Sequence, residues 1–512
     1  MFRRVFIANR GEIALRVART ARRLGIEAAG AFSTVDGGLP HLRLCQAAVE
    51  LDGEPARVYL EINKVVDAAK KLKADAVHPG YGFLAENEAF AEAVEAAGMK
   101  FIGPTPEQIV ALGDKVQARI AAEKAGVPTV PGKSEAIADP AAAAAIATKL
   151  GFPVLIKAAG GGGGRGMRIV EQPSQLAEAI ARAQSEAKAA FDDPRVFVEK
   201  FLPRARHVEI QIVGDGKGSA VWLGERECSV QRRHQKLIEE SPTTALPPDV
   251  VAKMGALAAR LAASVNYRGA GTMEFLVPAG TQEFYFIEMN TRLQVEHPVT
   301  ELCTGLDLVE EQFHIAARGS FSPRLLASLD PATPGRDANS VSERGVVRRG
   351  HAIEARVIAE DPETDFRPSA GPVELALLPS GPGIRTDAWI EPGLAVSPYY
   401  DSLLAKVLAW GNDRNEAIQR LVLALHETRI APLKTTAGFL SHLIQEQPFV
   451  SGDYDTGWLA RRKAERAAAG KIIPQEAMAL AATERLRRAS LTLPSARYEG
   501  RRLSGWQRRD EG

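Results

Sequence analysis

Along residues 1–113, short apolar runs alternate with stretches of helical period. The runs 4–8, 28–32, 74–77 and 100–102 predict strands, and 62–72 and 89–97 predict helices. Such alternation implies a parallel sheet with crossover helices, which binds ligands at the carboxyl ends of its strands. The loop His78-Pro79-Gly80-Tyr81-Gly82-Phe83 comes directly after one of those ends. Residues 114–124 predict a helix that stops near Gly126. In 174–190, Leu176, Ile180, Ala183 and Ala187 fall at helical spacing, with Ser174 as the expected N-cap. From 202 to 290 the pattern turns β-rich, with strands at 207–213, 219–223, 271–277 and 284–290. Helices at 249–265 and 307–318 punctuate it. Residues 331–345, rich in Pro, Gly, Ser and charge, read as an exposed loop or insertion. More β-like text runs from 352 to 408, and helices are expected at 416–425 and 437–445.

At 512 residues the chain has room for about three domains of roughly 150 residues. Its net charge of +1 argues against a dedicated nucleic-acid binder. The three cysteines, Cys45, Cys228 and Cys303, form no CxxC pair, which argues against a disulfide framework or a cysteine zinc site. The simplest compartment is a reducing cytoplasm. No run of 18 apolar residues exists, so no membrane span is expected. The Arg-rich start reads as strand, turn and helix rather than as a transit peptide. Residues 461–512 differ from the rest, with 13 Lys/Arg against 6 Asp/Glu. A solvated helix and loop is the favoured reading of that basic tail, over a nucleic-acid arm.

The loudest local signal is Lys157 with, just beyond it, Gly160, Gly161, Gly162, Gly163, Gly164 and Gly166. A GxGxxG match alone is weak, and a dinucleotide fingerprint needs a helix directly after it. Here β-like text stands on both sides, so the glycines join two strands. Bare amides in such a turn suit a polyphosphate, and Lys157 adds a positive charge. A plain linker is the alternative.

Glu274 and Glu288 sit inside apolar strands, where a lone carboxylate costs several kcal/mol unless a cation or donor meets it. Glu288 and Asn290 share a strand face, and one further strand brings Glu274 alongside. Two carboxylates and an amide oxygen make a hard-oxygen site for Mg²⁺; a pair of buried salt bridges would satisfy them too. Directly after, Arg292, Gln294 and Glu296 alternate, so an extended segment points all three into one pocket. Cation, amide and carboxylate together suit a small oxyanion and a general base. In 231–236, alternation sets Gln231, Arg233 and Gln235 on one face and Arg232, His234 and Lys236 on the other. Arg356, also in an apolar strand, needs an anion.

Taken in order, these motifs resemble the biotin carboxylase component of biotin-dependent carboxylases, an ATP-grasp enzyme. The matching text includes FIANRGEIALR, HPGYGFLAEN, KAAGGGGGRGM, RHVEIQIVGD, ERECSVQRRHQK, FIEMNTRLQVEHPVTE, GHAIEARV and YYDSLLAK, spread over residues 1–458. The resemblance implies an α/β and α+β multidomain chain, with an ATP-grasp fold preceded by a Rossmann-like parallel-sheet domain. The expected divisions are an N-terminal domain at 1–113, a helical linker at 114–129 and a glycine-loop lid at 130–201. The catalytic core and C-terminal domain occupy 202–458, and the tail 459–512.

The resemblance further implies that Lys115, Lys157, Gly162, Gly163, Gly164, Glu199, Lys200, Leu202, His207, Gln231 and His234 surround ATP. Lys236 reaches the transferred phosphate. Glu274, Glu288 and Asn290 hold Mg²⁺ or Mn²⁺. Arg292, Gln294 and the Val295 backbone hold bicarbonate, Glu296 is its base, and Arg356 stabilises the enolate-like ureido group of biotin. No Ala-Met-Lys-Met attachment sequence occurs, and Gln475-Glu476-Ala477-Met478-Ala479-Leu480 has no lysine. A biotin carboxyl carrier protein and carboxyltransferase subunits are therefore expected as partners. The resemblance implies a homodimer or larger complex and an acyl-CoA carboxylase of the acetyl- or propionyl-CoA type, while the final acceptor, which lies with the carboxyltransferase, stays open among acetyl-CoA, propionyl-CoA, a larger acyl-CoA and a keto acid. Another ATP-grasp carboxylate-amine ligase and a non-catalytic nucleotide-binding protein are the competing readings.

Overall fold

In the computed structural model, the described residues are 1–132, 137–158, 167–191, 194–333, 335–337 and 340–468. The glycines of 160–166 lie outside them, as does the chain from 469 onward.

The apolar runs of the first part form five parallel strands, in the spatial order Ala47–Glu50, Glu27–Phe32, Arg4–Ile7, Ala76–His78, Lys100–Phe101. One face buries Phe6, Val77, Phe90 and Phe101 under the helices Ile62–Lys71 and Glu88–Ala96. The other face, with Val5 and Ile7, meets the helix Gly11–Arg23 through Val17, in one apolar cluster with Phe313 of the helix Leu308–Arg318 and Val213 of the largest sheet. These helices join the parallel sheet to the largest sheet of the molecule. The four expected strands are all present; Ala47–Glu50, only partly buried and weakly apolar, is an addition. Asp114 caps the helix Lys115–Lys124 by accepting from the amides of Val116 and Gln117, at 3.0 and 2.8 Å.

A three-stranded antiparallel sheet comes next, ordered Met167–Val170, Val154–Ala158, Val196–Lys200. Its own core holds Val154, Ile156, Val170, Ile180 and Val198. The strands on either side of the glycine run pair directly, Lys157 opposite Met167. Ser174 does not cap the next helix: a 3₁₀ turn at Pro173–Gln175 leads into Leu176–Phe191. Pro at the start of that turn fixes φ and tightens the entry.

The largest sheet has eight strands, in the order Tyr285–Asn290, Arg268–Pro278, Ala205–Asp215, Ala220–Arg232, Gln235–Ser241, His351–Ile358, Leu403–Gly411, Ile384–Ala388. Every neighbouring pair is antiparallel. The strand expected at 219–223 runs on to Arg232, so the cluster 231–236 is a hairpin and not one extended edge. Arg233 and His234 form its turn, both at positive φ, and Gln231 faces Lys236 across it. The insertion 331–345 is also not simply exposed. Ser342 and Glu343 are buried, Trp222 donates its indole N–H to the Glu343 carbonyl, and Arg260 pairs with the Glu343 carboxylate at 2.8 Å. A tryptophan next to a backbone acceptor explains how so polar a stretch is drawn in.

Glu240 ties this sheet to the C-terminal elements. It accepts from Arg414 at 2.6 and 3.0 Å, meets His351 at 2.6 Å and bonds the Tyr454 hydroxyl. Burial would raise its carboxyl, but His351 and Arg414 overcome burial and bring it down to about 2. A depressed carboxyl stabilises the fold above its unfolded value and loses that contribution as pH falls toward the folded one. Glu240→Gln is therefore expected to cost about 3 kcal/mol at neutral pH. It also flattens the acid limb of stability, from the ordinary carboxylate range down to about pH 2, relative to the unaltered chain. Urea unfolding across that range checks both.

Candidate active site

Register on the eight-stranded sheet brings acids from distant text together. Glu209 lies directly opposite Glu274, and Glu274 directly opposite Glu288. Like charges in such a row destabilise a sheet unless cations intervene. Lys236, from the hairpin, supplies one. Its Nζ lies 2.7 Å from Glu209 Oε2, 3.1 Å from Glu274 Oε1 and 2.6 Å from Glu296 Oε1. Arg226, fully buried, donates to Glu209 at 2.5 Å and to Gln211, Thr272 and Thr300.

Glu296 is wholly buried and divides its oxygens between two cations. Oε1 meets Lys236, and Oε2 accepts from Arg356 at 3.0 Å. Burial alone would raise its carboxyl, yet Lys236, Arg356 and Arg226 hold it well below the usual carboxylate range. Arg356 also donates to Glu239 at 2.6 Å. Burial raises Glu239 to about 7 despite Arg356, with Glu296 adding to the rise.

The three positions expected to hold a metal are adjacent. Asn290 donates to Glu274 Oε1 at 2.8 Å. Burial opposes ionisation of Glu274, but Lys236 and His207 push its carboxyl below the ordinary range. His207 Nε2 sits 2.9 Å from Glu274 Oε2, and Glu274 raises the imidazole against its burial. Glu288 goes the other way: burial and then Glu274 raise it, and Lys115, 3.8 Å off, offsets only part. Glu288, short of positive charge and facing Glu274 beside the Asn290 amide, fits a divalent cation with oxygen ligands.

Arg292, Gln294 and Glu296 converge, but not as an extended segment. Residues 291–296 are bends and turns, and Glu296 starts the helix His297–Thr304. Arg292 donates to Gln294 at 3.2 Å and to Asn290 at 3.2 Å, and Gln294 donates to Glu274 at 3.2 Å. The Val295 carbonyl accepts from Lys406.

The expected nucleotide residues are more scattered. Lys157 contacts Glu199 at 2.5 Å on the three-stranded sheet. Lys200 is turned onto the carbonyls of Gly151 and Phe152, at 3.0 and 3.1 Å. Leu202 is half-buried just beyond that strand, Gln231 is half-buried at the hairpin, and His234 is exposed on its turn. Gly162, Gly163 and Gly164 lie outside the described residues. Glu209, Arg226, Glu239, Lys406 and Glu86 also belong to the site, and the sequence patterns do not single them out. Glu209, in His-Val-Glu-Ile-Gln-Ile, nonetheless carries the same signal as Glu274, an acid within an apolar strand.

Comparison with known proteins gives the family. The family profile described as "Biotin carboxylase, N-terminal domain" matches residues 1–109. "Carbamoyl-phosphate synthase L chain, ATP binding domain" matches 114–322, and "Biotin carboxylase C-terminal domain" matches 354–461. A biotin carboxylase of Nostoc is 46% identical over 460 residues, 90% of this chain and 98% of that protein. A pyruvate carboxylase subunit of Methanothermobacter thermautotrophicus is 43% identical, over 89% of each chain. The biotin carboxylase domain of 2-oxoglutarate carboxylase from Hydrogenobacter thermophilus, a dimer crystallised with MgADP, ADP and bicarbonate, superposes with a TM-score of 0.82 at 39% identity. That match covers 90% of this chain and 98% of the other. The chain therefore belongs to the biotin carboxylase family of ATP-dependent ligases that carboxylate biotin.

Proposed function

We propose that this chain activates bicarbonate with ATP and carboxylates biotin borne on a separate carrier protein, as the first half-reaction of an acyl-CoA carboxylase. The observation that carries the reading is the buried Glu296 carboxylate held between Lys236 and Arg356.

Bicarbonate is a poor nucleophile until it loses its proton. Arg292, Gln294 and the Val295 backbone bind and orient it, and Glu296 accepts the proton. A carboxylate gripped by two cations is a weak base. As Lys236 moves toward the γ-phosphate of ATP, its hold on Glu296 loosens and the carboxylate becomes more basic. The deprotonated anion attacks the γ-phosphorus, ADP leaves, and Lys236 offsets the charge spread over the transferring group. Carboxyphosphate then yields CO₂ and phosphate in a site that must exclude water. Phosphate takes the N1′ proton of biotin, Arg356 stabilises the enolate-like ureido oxygen, and N1′ attacks CO₂. Glu274, Glu288 and Asn290 would hold Mg²⁺ or Mn²⁺, which would supply charge neutralisation at the phosphates. Lys115, Lys157, Glu199, Lys200, Leu202, His207, Gln231 and His234, with Gly162, Gly163 and Gly164, surround the nucleotide.

The partners are a biotin carboxyl carrier protein and a carboxyltransferase, and the chain works as a homodimer or in a larger complex. The acyl-CoA assignment is supported by the segment after residue 461, which resembles the stretch just beyond this core in longer acyl-CoA carboxylase α chains. Among the described residues no helix is long and apolar enough to cross a membrane, which is consistent with a cytoplasmic setting.

Three outcomes test this reading. ATP cleavage by the purified chain depends on bicarbonate and rises with free biotin; cleavage indifferent to both rejects the assignment. Glu296→Gln lowers biotin carboxylation roughly 10²–10⁴-fold, as does Arg356→Ala, while ATP binding monitored by thermal shift persists. Loss of ATP binding in either folded variant contradicts the division of roles. Removal of 461–512 leaves carboxylation of free biotin within about twofold but weakens co-purification with the carboxyltransferase; a large loss on free biotin contradicts the tail's assignment.

A further inference from the structure

The segment 291–296 carries the groups assigned to bicarbonate, yet it is neither strand nor helix. An irregular backbone keeps a catalytic geometry only where neighbouring groups fix it. Its first residues are fixed by Glu86, which accepts the Thr291 amide at 3.2 Å and Arg292 Nε at 2.8 Å. Its last peptide is fixed by a different group. Lys406 Nζ donates to the Val295 carbonyl at 3.0 Å. That oxygen belongs to the planar peptide unit joining Val295 to Glu296, so holding it sets the direction from which Glu296 leaves the backbone.

Lys406 stands on Leu403–Gly411, directly opposite Arg356, and its side chain is fully buried. A buried ammonium needs compensating charge. Glu12 Oε1 lies 3.2 Å away and Asp387 Oδ2 3.9 Å, with Asp387 itself gripped by Arg385 at 2.7 Å. Glu12 and Asp387 supply the compensating charge, and the shortest contact of Lys406, at 3.0 Å, is its bond to the Val295 carbonyl. Glu12 comes from the first turn of Gly11–Arg23, at the other end of the sequence. One ammonium thus joins the N-terminal part, the C-terminal part and the turn that leads into the base.

We propose that Lys406 is a positioning residue for bicarbonate activation, orienting the Val295–Glu296 peptide while Glu12 holds its charge in place. The proposal rests on the reading of Glu296 as the base. Lys406 touches no substrate in this role; it acts through the backbone.

The test compares the full chain with two variants. Lys406→Met with Glu12→Gln removes the bond without stranding the Glu12 charge. Lys406→Arg keeps a cation for Glu12 and Asp387, but its wider fork displaces the bond to Val295. Each variant that melts cooperatively is assayed for bicarbonate-dependent ATP cleavage. The expected result is a fall of at least about tenfold in kcat/KM for bicarbonate, with KM for ATP within about twofold of the unaltered chain. Unchanged bicarbonate kinetics overturn the proposal. So does a rise in KM for ATP equal to that for bicarbonate, since a merely structural role loosens both. If the unaltered chain cleaves ATP without regard to bicarbonate, the functional reading itself fails; if only the variants behave as the unaltered chain does, the positioning role alone fails.

Discussion

One ammonium among three carboxylates sets the terms for the rest of the site. Lys236 lies within 3.1 Å of Glu209, Glu274 and Glu296, and all four side chains are buried or nearly so. Without it, the acids that face one another across adjacent strands would repel in a medium that screens poorly. With it, each is met by positive charge and pointed at a shared centre. The arrangement also accounts for Arg226, which gives Glu209 a second cation and lets Lys236 serve the other two. A lysine suits the central place because its compact charge sits on a flexible stem and can change partners without moving the backbone.

Part of this is readable from the sequence because burial is costly for a charge. An acid between β-branched and aromatic neighbours announces a partner, and Glu274, Glu288 and Arg356 stand out on that ground. The same reasoning does not give the partners. Glu239 meets Arg356 only because residues 238 and 355 are paired across strands more than 100 positions apart in the chain. Lys406 and Glu12 are further apart still. Periodicity also misleads at two places for one reason: alternation cannot tell a strand from a hairpin or a turn whose residues happen to alternate. Arg233 and His234 lack the Gly or Asn that usually marks positive φ, so the hairpin at 231–236 leaves no signal. At 291–296 the three side chains do converge, but through bends closed by hydrogen bonds to Glu86, Glu274 and Lys406. The change from βα alternation to β-rich text is legible in the hydrophobic period, whereas the architecture of the fold is implied only by the family resemblance. The burial of Ser342 and Glu343 is not legible, because composition says nothing about an indole waiting on another strand.

The eight-stranded sheet gives the site its rigidity and its division of labour. The strands bearing the acids and those bearing Lys236, Arg356 and Lys406 are continuous in one hydrogen-bonded surface. Charges held on such a surface cannot drift apart without breaking the ladder between them. Lys157 and Lys200, assigned to the nucleotide, stand instead on a separate three-stranded sheet with a core of its own. The groups assigned to the nucleotide are thus divided, since His207 and Gln231 stand on the eight-stranded sheet beside the acids.

The same separation bears on how the base is kept inactive until needed. Glu296, held low by Lys236, Arg356 and Arg226 against its burial, does not take a proton readily while they remain beside it. Arg356 is anchored by Glu239 on a neighbouring strand and has little freedom to leave. Lys236 is shared among Glu296, Glu209 and Glu274, so its ammonium can leave Glu296 while still facing two other carboxylates. The cation that can be drawn off is therefore the one assigned to phosphate. On the proposed assignment, basicity then rises only when the nucleotide is in place, which would couple proton removal from bicarbonate to the presence of its phosphate acceptor.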